Sequence, residues 1–348
     1  MSTIYVVEAG ARLEKEHGRL LVTLNDEVLL RAPLGRVSRV VLVGRAGATT
    51  AALHALLEAG IPLLLVSRGG KLLGQLAPPR PGNLALRRAQ FGRDADVDFC
   101  FRLAQRIVVG KLRNQRVLAA RLGRRGGGPA GIVAVDAGLP GVDAGPPRVV
   151  PALAAAMAQA EAAAGLDALR GVEGHAARVY FAALRAAFDP AWGFVDRNRR
   201  PPRDPINALL SLGYSLLTQN MMTALEVVGL DPYLGYFHAE ADGRPALALD
   251  LVEEFRAPVV DSLALWAVKQ RVLAPGDFAP DEATGGVGLT DAGLKVYLRL
   301  FSEKLESAVL VRELGRRLSY RKLFEVQARR LAGVISGAAA EYRPFRAR

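Results

Sequence analysis

Hydrophobic positions change their spacing once along this chain. Up to about residue 76 they come in short β-prone runs, TIYVVE, RLLVTL, EVLLRAP and RVVLVG, separated by charged or Gly/Pro turns, which predicts strands. In TTAALHALLEAGIPLLLVSRGGKLLGQL, Thr49 or Thr50 caps a short helix that stops at Gly60. A buried strand over 61–66 then turns at Gly69 and Gly70 into another. From LALRRAQF onward the period is helical, with long stretches over 99–122 and 294–314. The segment LAPPRPGN between the two regimes carries three prolines and a glycine, as linkers do. The expected fold class is α+β: a small N-terminal β domain (1–76), a linker (77–83) and a larger all-α C-terminal domain (84–348). Residues 124–151, dense in Gly, Pro and Ala without a period, read as a mobile loop.

One helical stretch breaks its own pattern. In ALRGVEGHAARVYFAAL, Leu169, Ala176, Tyr180 and Leu184 recur at steps of seven, four and four, which places Glu173 on the same apolar face. A buried carboxylate needs a cation, a set of hydrogen-bond donors or a metal, because burying it unpaired costs several kcal/mol or forces protonation.

Two further segments set polar groups against apolar ones. His238 follows Tyr236 and Phe237 and precedes a turn at Asp242 and Gly243, so it lies where one element ends and another begins. After the turn, ALALDLVEEFR is apolar at Leu247, Leu249, Leu251 and Val252, with Asp250 and Glu253 one helical turn apart and Glu254 near the same edge. Taken alone, the histidine reads as a structural residue and the acids as an exposed face flanked by Arg244 and Arg256. Taken with Glu173 they form a hard-ligand set suited to Mg²⁺ or Mn²⁺, the imidazole favouring Mn²⁺.

The charge balance says what such an ion would act on. A formal net charge of +12 and a pI near 10.2 predict attraction to polyanions such as nucleic acid or an acidic membrane surface. Arginine far outnumbers lysine, and its guanidinium fork grips phosphate oxygens in pairs, although a GC-rich genome would produce the same bias. Arg197, Arg199, Arg200 and Arg203 form a basic run just before a helix that Asp204 caps and Pro205 opens. They are either a solvated surface or phosphate contacts. The reaction that fits is metal-assisted attack on a phosphodiester held by arginines. The single cysteine, Cys100, excludes an intramolecular disulfide and leaves no second thiol for a zinc site. No leader of signal-peptide type and no membrane-length apolar run is read, so a cytoplasmic location without membrane contact is expected.

The motifs LRGVEGHAARVYF, PPRDPINALLSLGYSLL, GYFHAEADGRPALALDLVEEFR and the Asp277–Phe278 pair, followed by a long basic helix, stand in an order that resembles the CRISPR-associated Cas1 family of endonucleases and integrases. The likeness extends to IVVGKLRNQRVL and LLEAGIPLLLVSRGGKLLGQL, and so covers almost the whole chain. It implies a β domain, a helical domain with the metal site, a homodimer, and association with a small Cas2 partner to insert short duplex DNA into a CRISPR array. It further implies that Glu173, His238 and Glu253 are metal ligands, that Asp250 is a supporting acid, and that Asn207 and Tyr214 support DNA or the site. The 124–151 segment is longer and richer in Gly and Pro than the resemblance leads one to expect.

Two other readings stay open: a metal-dependent nuclease that cuts branched or duplex DNA without joining it, and a non-catalytic nucleic-acid scaffold. The latter would use the helix SYRKLFEVQARRLAGVI, with Tyr320, Leu323, Phe324, Leu331 and Val334 as its apolar stripe, and the tail EYRPFRAR. The tail beyond Tyr342 is expected to be mobile.

Overall fold

The computed structural model describes residues 2–78, 83–125, 149–198, 201–238, 241–281 and 285–347. Most of the 124–151 segment therefore lies outside the described residues. The chain gathers into two compact units, one made of 1–81, 200–216 and 273–302, the other of 82–199, 217–272 and 303–348.

The first unit opens with eight strands in two four-stranded sheets and one helix. The strands are β1 (Ser2–Val6), β2 (Arg12–Glu16), β3 (Arg19–Leu24), β4 (Glu27–Pro33), β5 (Val37–Val43), β6 (Gly47–Ala48), β7 (Leu63–Val66) and β8 (Leu72–Leu76). One sheet runs β1-β5-β7-β8 and the other β4-β3-β2-β6. β5 pairs parallel with both β1 and β7, and its VSRVVLV sequence is buried almost throughout, as a central parallel strand requires. Ile4, Val6, Leu13, Leu20, Val22, Val40, Leu42, Leu56 and Leu63 form the common core. Two hairpins close on two-residue turns, His17–Gly18 and Asn25–Asp26, whose four φ values are all positive, as turns matched to the strand twist need. Thr49 caps α1 (Thr50–Glu58) by accepting the Ala52 N–H. β2 was not foreseen, because RLEKE inserts only Leu13 into the core.

The second unit is helical: α2 (Leu84–Asp94), α3 (Val97–Arg125), α4 (Val149–Glu161), α5 (Leu166–Ala187), α7 (Ala246–Phe255), α8 (Ser262–Lys269) and α10 (Tyr320–Ile335). Two more helices, α6 (Pro205–Val228) and α9 (Asp291–Glu306), carry residues of both units. α3 packs against α4, α5 and α7. A π-helical turn over Arg256–Asp261 joins α7 to α8 where Pro258, lacking an N–H, breaks the regular ladder. The later part of the chain also holds two short hairpins that helical periodicity did not announce, β9 (Phe278–Asp281) with β10 (Gly286–Leu289) and β11 (Ala308–Val311) with β12 (Arg316–Ser319). Among the described residues no helix is long and apolar enough to cross a membrane.

The tail beyond Tyr342 departs from expectation. It is ordered: Tyr342 and Phe345 are buried, and Asn114 of α3 donates to the Phe345 carbonyl at 2.9 Å and accepts the Ala347 N–H at 2.8 Å. Its terminal position suggested fraying, but Phe345 stacks on Phe255 of α7 with ring centroids 5.4 Å apart.

Candidate active site

The site is built on α7. All its residues except Leu249 are buried, including Asp250, Glu253 and Glu254, so the three acids do not form an exposed face. A helix apolar on every side is a core element, and each carboxylate in it must find partners from its neighbours.

Asp250 is satisfied entirely from the segment before α7. Its Oδ2 accepts the backbone N–H groups of Tyr236 and Phe237 at 2.7 and 3.1 Å; its Oδ1 accepts that of His238 at 2.9 Å and lies 2.7 Å from His238 Nδ1. With Nδ1 tied to the carboxylate, the imidazole presents Nε2 towards Glu253, 3.7 Å from its Oε1. The close approach of this segment to α7 depends on Gly235, where an added Cβ would stand 2.7 Å from the Ala246 backbone and side chain.

Glu173, half-buried on α5, and Glu253 on α7 meet at a single positive charge. Lys111 of α3 places Nζ in contact with Glu173 Oε1 and 2.8 Å from Glu253 Oε2, and Arg256 reaches Glu253 Oε1 at 3.1 Å. Burial alone would push the Glu253 carboxyl up; Arg256, Lys111 and His238 outweigh it and hold the group down at about 2. Burial likewise works against the Lys111 ammonium, and the two glutamates overcome it, raising its pKa above the ordinary lysine value. The four charges balance, two acids against two bases, which is the condition for keeping them out of water.

These groups line a cleft of about 380 Å³ together with Phe237, Arg170 and Arg244. Arg170 also donates to the Phe237 carbonyl at 3.3 Å, linking α5 to the His238 segment. Among the described residues no three His, Cys, Asp or Glu side chains are preassembled as an ion nest, and the cation between the two glutamates is Lys111. The donor set nevertheless fits a hard divalent ion: two carboxylates from different helices already share one positive charge, beside an imidazole whose other nitrogen is tied down.

The family profile described as CRISPR associated protein Cas1 matches residues 4–303. The chain belongs to the Cas1 family. It is 37% identical over 350 residues to a protein of Thermus thermophilus named CRISPR-associated endonuclease Cas1 3, covering all of this chain and 98% of that one. A Geobacter sulfurreducens protein named CRISPR-associated exonuclease Cas4/endonuclease Cas1 fusion is 37% identical over 348 residues, and the match covers 98% of this chain but 60% of the fusion. Among solved structures, a Cas1 protein from Thermotoga maritima superposes with a TM-score of 0.77 at 23% identity, covering 96% of this chain and 97% of that one. One named "Casposase bound to integration product" gives 0.84 at 21%, covering 100% and 95%. At those identities the likeness is one of fold.

Against this Cas1 fold the remaining candidates can be placed. Arg197 belongs to the second unit and donates to the Asn198 carbonyl, while Arg199 and Arg200 lie outside the described residues. Arg203, Asn207 and Tyr214 belong to the first unit. There Asn207 is fully buried; its N–H and side-chain amide donate to the two oxygens of Asp204 at 2.8 and 2.6 Å, so it completes the cap of α6. Sequence reasoning missed Lys111, and it read Arg244 and Arg256 only as flanking charges. The signal for Lys111 was present: it sits four residues after Ile107 and eight after Leu103, on the buried face of α3.

Proposed function

We propose that this chain is a divalent-metal-dependent DNA endonuclease and integrase that joins short duplex DNA into a CRISPR array through attack of a 3′-hydroxyl on a phosphodiester. The observation that carries the reading is the meeting of Glu173 and Glu253 at one positive charge beside an Asp250-oriented His238, in a cleft edged by Arg170, Arg244 and Arg256. Glu173, Glu253 and His238 Nε2 would hold Mg²⁺ or Mn²⁺, which when bound supplies polarisation of the phosphoryl oxygen and acidification of the attacking hydroxyl. Asp250 keeps the imidazole in one orientation and tautomer, and the arginines hold the phosphate that is attacked.

Duplex DNA as substrate agrees with the +12 charge. A homodimer agrees with β4, an outer strand that leaves Val28, Leu29 and Leu30 39–45% exposed, an apolar strip suited to a second copy. Association with a Cas2 protein is in keeping with family membership and with the fold shared with a structure named "Cas6-RT-Cas1--Cas2 complex". The cytoplasm, where the array lies, is the place for this work.

The test is an assay with a free 3′-hydroxyl duplex and a repeat-containing plasmid. Joined products that need Mg²⁺ or Mn²⁺, and vanish in Glu173→Ala, His238→Ala and Glu253→Ala while DNA binding at low salt persists, are the expected result. Cleavage without joining would leave a nuclease of narrower scope. Joining in the presence of a chelator, or in Glu173→Ala at saturating Mn²⁺, would overturn the metal-dependent reading. A pure scaffold is disfavoured because it gains nothing from burying a charge-compensated cluster of acids.

A further inference from the structure

Lys111 stands where the proposed chemistry would place an ion. Its ammonium touches Glu173 and stands 2.8 Å from Glu253, so its positive charge lies between two of the side chains that would hold the ion. The residue is 7% exposed, rooted in the middle of α3 next to the fully buried Leu112 and Val108. A divalent ion between these two carboxylates would compete with the ammonium for the oxygens it contacts and be repelled by it over a few ångströms. Arg256 is placed differently. It reaches Glu253 through the oxygen on the imidazole side, not the one that Lys111 contacts.

We propose that Lys111 is the stand-in cation of the metal-free site: it neutralises Glu173 and Glu253 until a divalent ion enters, and the ion must displace it. The inference rests on the metal reading given above and adds a device to it. Without Lys111 the two acids would lose the cation that pairs with both of them, and their mutual repulsion would favour opening of the site. With Lys111 the metal-free protein keeps its ligands together, at the expense of weaker ion binding. Once displaced, the four-carbon stem lets the ammonium swing into the cleft that Arg170 and Arg244 also line, where it adds a further positive charge for a phosphate.

The experiment is a titration of the full-length chain with Mn²⁺, read by the electron-spin resonance of the free ion, in the wild type, Lys111→Met and His238→Ala. The His238→Ala variant identifies which bound ion is the one at this site. Lys111→Met, which keeps the length of the side chain and removes its charge, is expected to bind Mn²⁺ at least about tenfold more tightly, a modest share of what one like charge does at this range. It should also melt at a lower temperature than the wild type in chelator and recover most of that loss in Mn²⁺. A purely structural lysine would instead lower both melting points equally and leave the affinity unchanged or weaker, and that result overturns the proposal.

If Lys111→Met does not fold, amine-reactive labelling of the wild type followed by mass spectrometry gives the same answer. Labelling of Lys111 should rise several-fold when Mn²⁺ is added, and unchanged labelling in an ion-bound protein overturns the proposal. The two levels of inference fail differently. Mn²⁺ binding that His238→Ala abolishes, with Lys111→Met no tighter, removes the stand-in role alone, whereas no Mn²⁺ binding by any variant removes the metal reading with it.

Discussion

Glu253 and Glu254 are neighbours on α7, both buried, and their surroundings drive them apart. Glu253 faces Arg256, Lys111 and His238 and is held down at about 2. Glu254 faces the other way: its Oε1 accepts the Tyr342 hydroxyl, and its Oε2 accepts the Phe345 N–H at 2.6 Å and the Gln327 amide at 2.9 Å. There burial prevails over these hydrogen bonds and raises its carboxyl to about 7. The Tyr342 hydroxyl is pushed well above its ordinary value by its own burial and by this carboxylate. Burial raises both carboxyls; formal positive charge overrides it at Glu253, whereas the donors around Glu254 only moderate it. One side of α7 is thus fitted for a cation, and the other is fitted to hold the tail.

That contrast makes graded predictions. The largest effect belongs to Glu253→Ala, which removes one buried carboxylate from Arg256 and leaves Lys111 with one acid instead of two. Urea unfolding should show a loss of about 3 to 5 kcal/mol, the scale for breaking a buried ion pair. Next comes Glu254→Ala, which removes the acceptor of the Tyr342 hydroxyl and of the Phe345 N–H and one of the acceptors of the Gln327 amide. A loss of about 3 kcal/mol and faster tryptic cleavage after Arg346 than in the wild type are expected. Glu254→Gln should be far milder, because its amide can donate to the Tyr342 oxygen while its carbonyl keeps the other two donors. Retained tail protection in Glu254→Ala would refute the role of Glu254 in holding the tail.

The pH dependence has opposite sign for the two acids, measured in chelator. Glu254 titrates at about 7 when folded and about 4.5 when unfolded, so its contribution is complete below pH 4.5 and is lost as pH rises through 7. For Glu253, at about 2 folded and 4.5 unfolded, the contribution is complete above pH 4.5 and is lost as pH falls through 2. The unfolding free energy of the wild type minus that of Glu254→Gln, from urea titrations, should therefore fall between pH 4.5 and 7.5, by up to about 3 kcal/mol. A gap that widens over that range would reverse the assignment.

Smaller effects belong to the packing of the tail. An added Cβ at Gly110 would stand 2.5 Å from the Cβ of Pro344, so Gly110→Ala should cost about 1 to 3 kcal/mol and loosen the tail in the same proteolysis assay. The smallest belongs to Glu341, whose ion pair with Arg106 at 2.6 Å is half exposed on both sides. Glu341→Gln should shift stability by less than about 0.5 kcal/mol.

Much of this was legible in the linear pattern. The boundary between β-rich and helical regions, the Thr49 and Asp204 caps, and the four motifs that place the chain in the Cas1 family can all be read from local spacing. So could the seam position of Glu173, because helical period alone aligns it with Leu169, Ala176 and Tyr180. β2 and the two late hairpins were not legible, since RLEKE, FAPD and RRLS carry little alternation of their own.

What sequence by itself determined is that an acid on an apolar seam needs a positive partner, since that follows from one helix and the cost of burying charge. It could not name the partner. Lys111 is 62 residues from Glu173 and 142 from Glu253, and only the packing of α3 against α5 and α7 sets those three side chains on one point. The division of labour between Glu253 and Glu254 is likewise tertiary: adjacent carboxylates project from a helix about 100° apart, so the elements packed on each side decide which meets cations and which meets neutral donors.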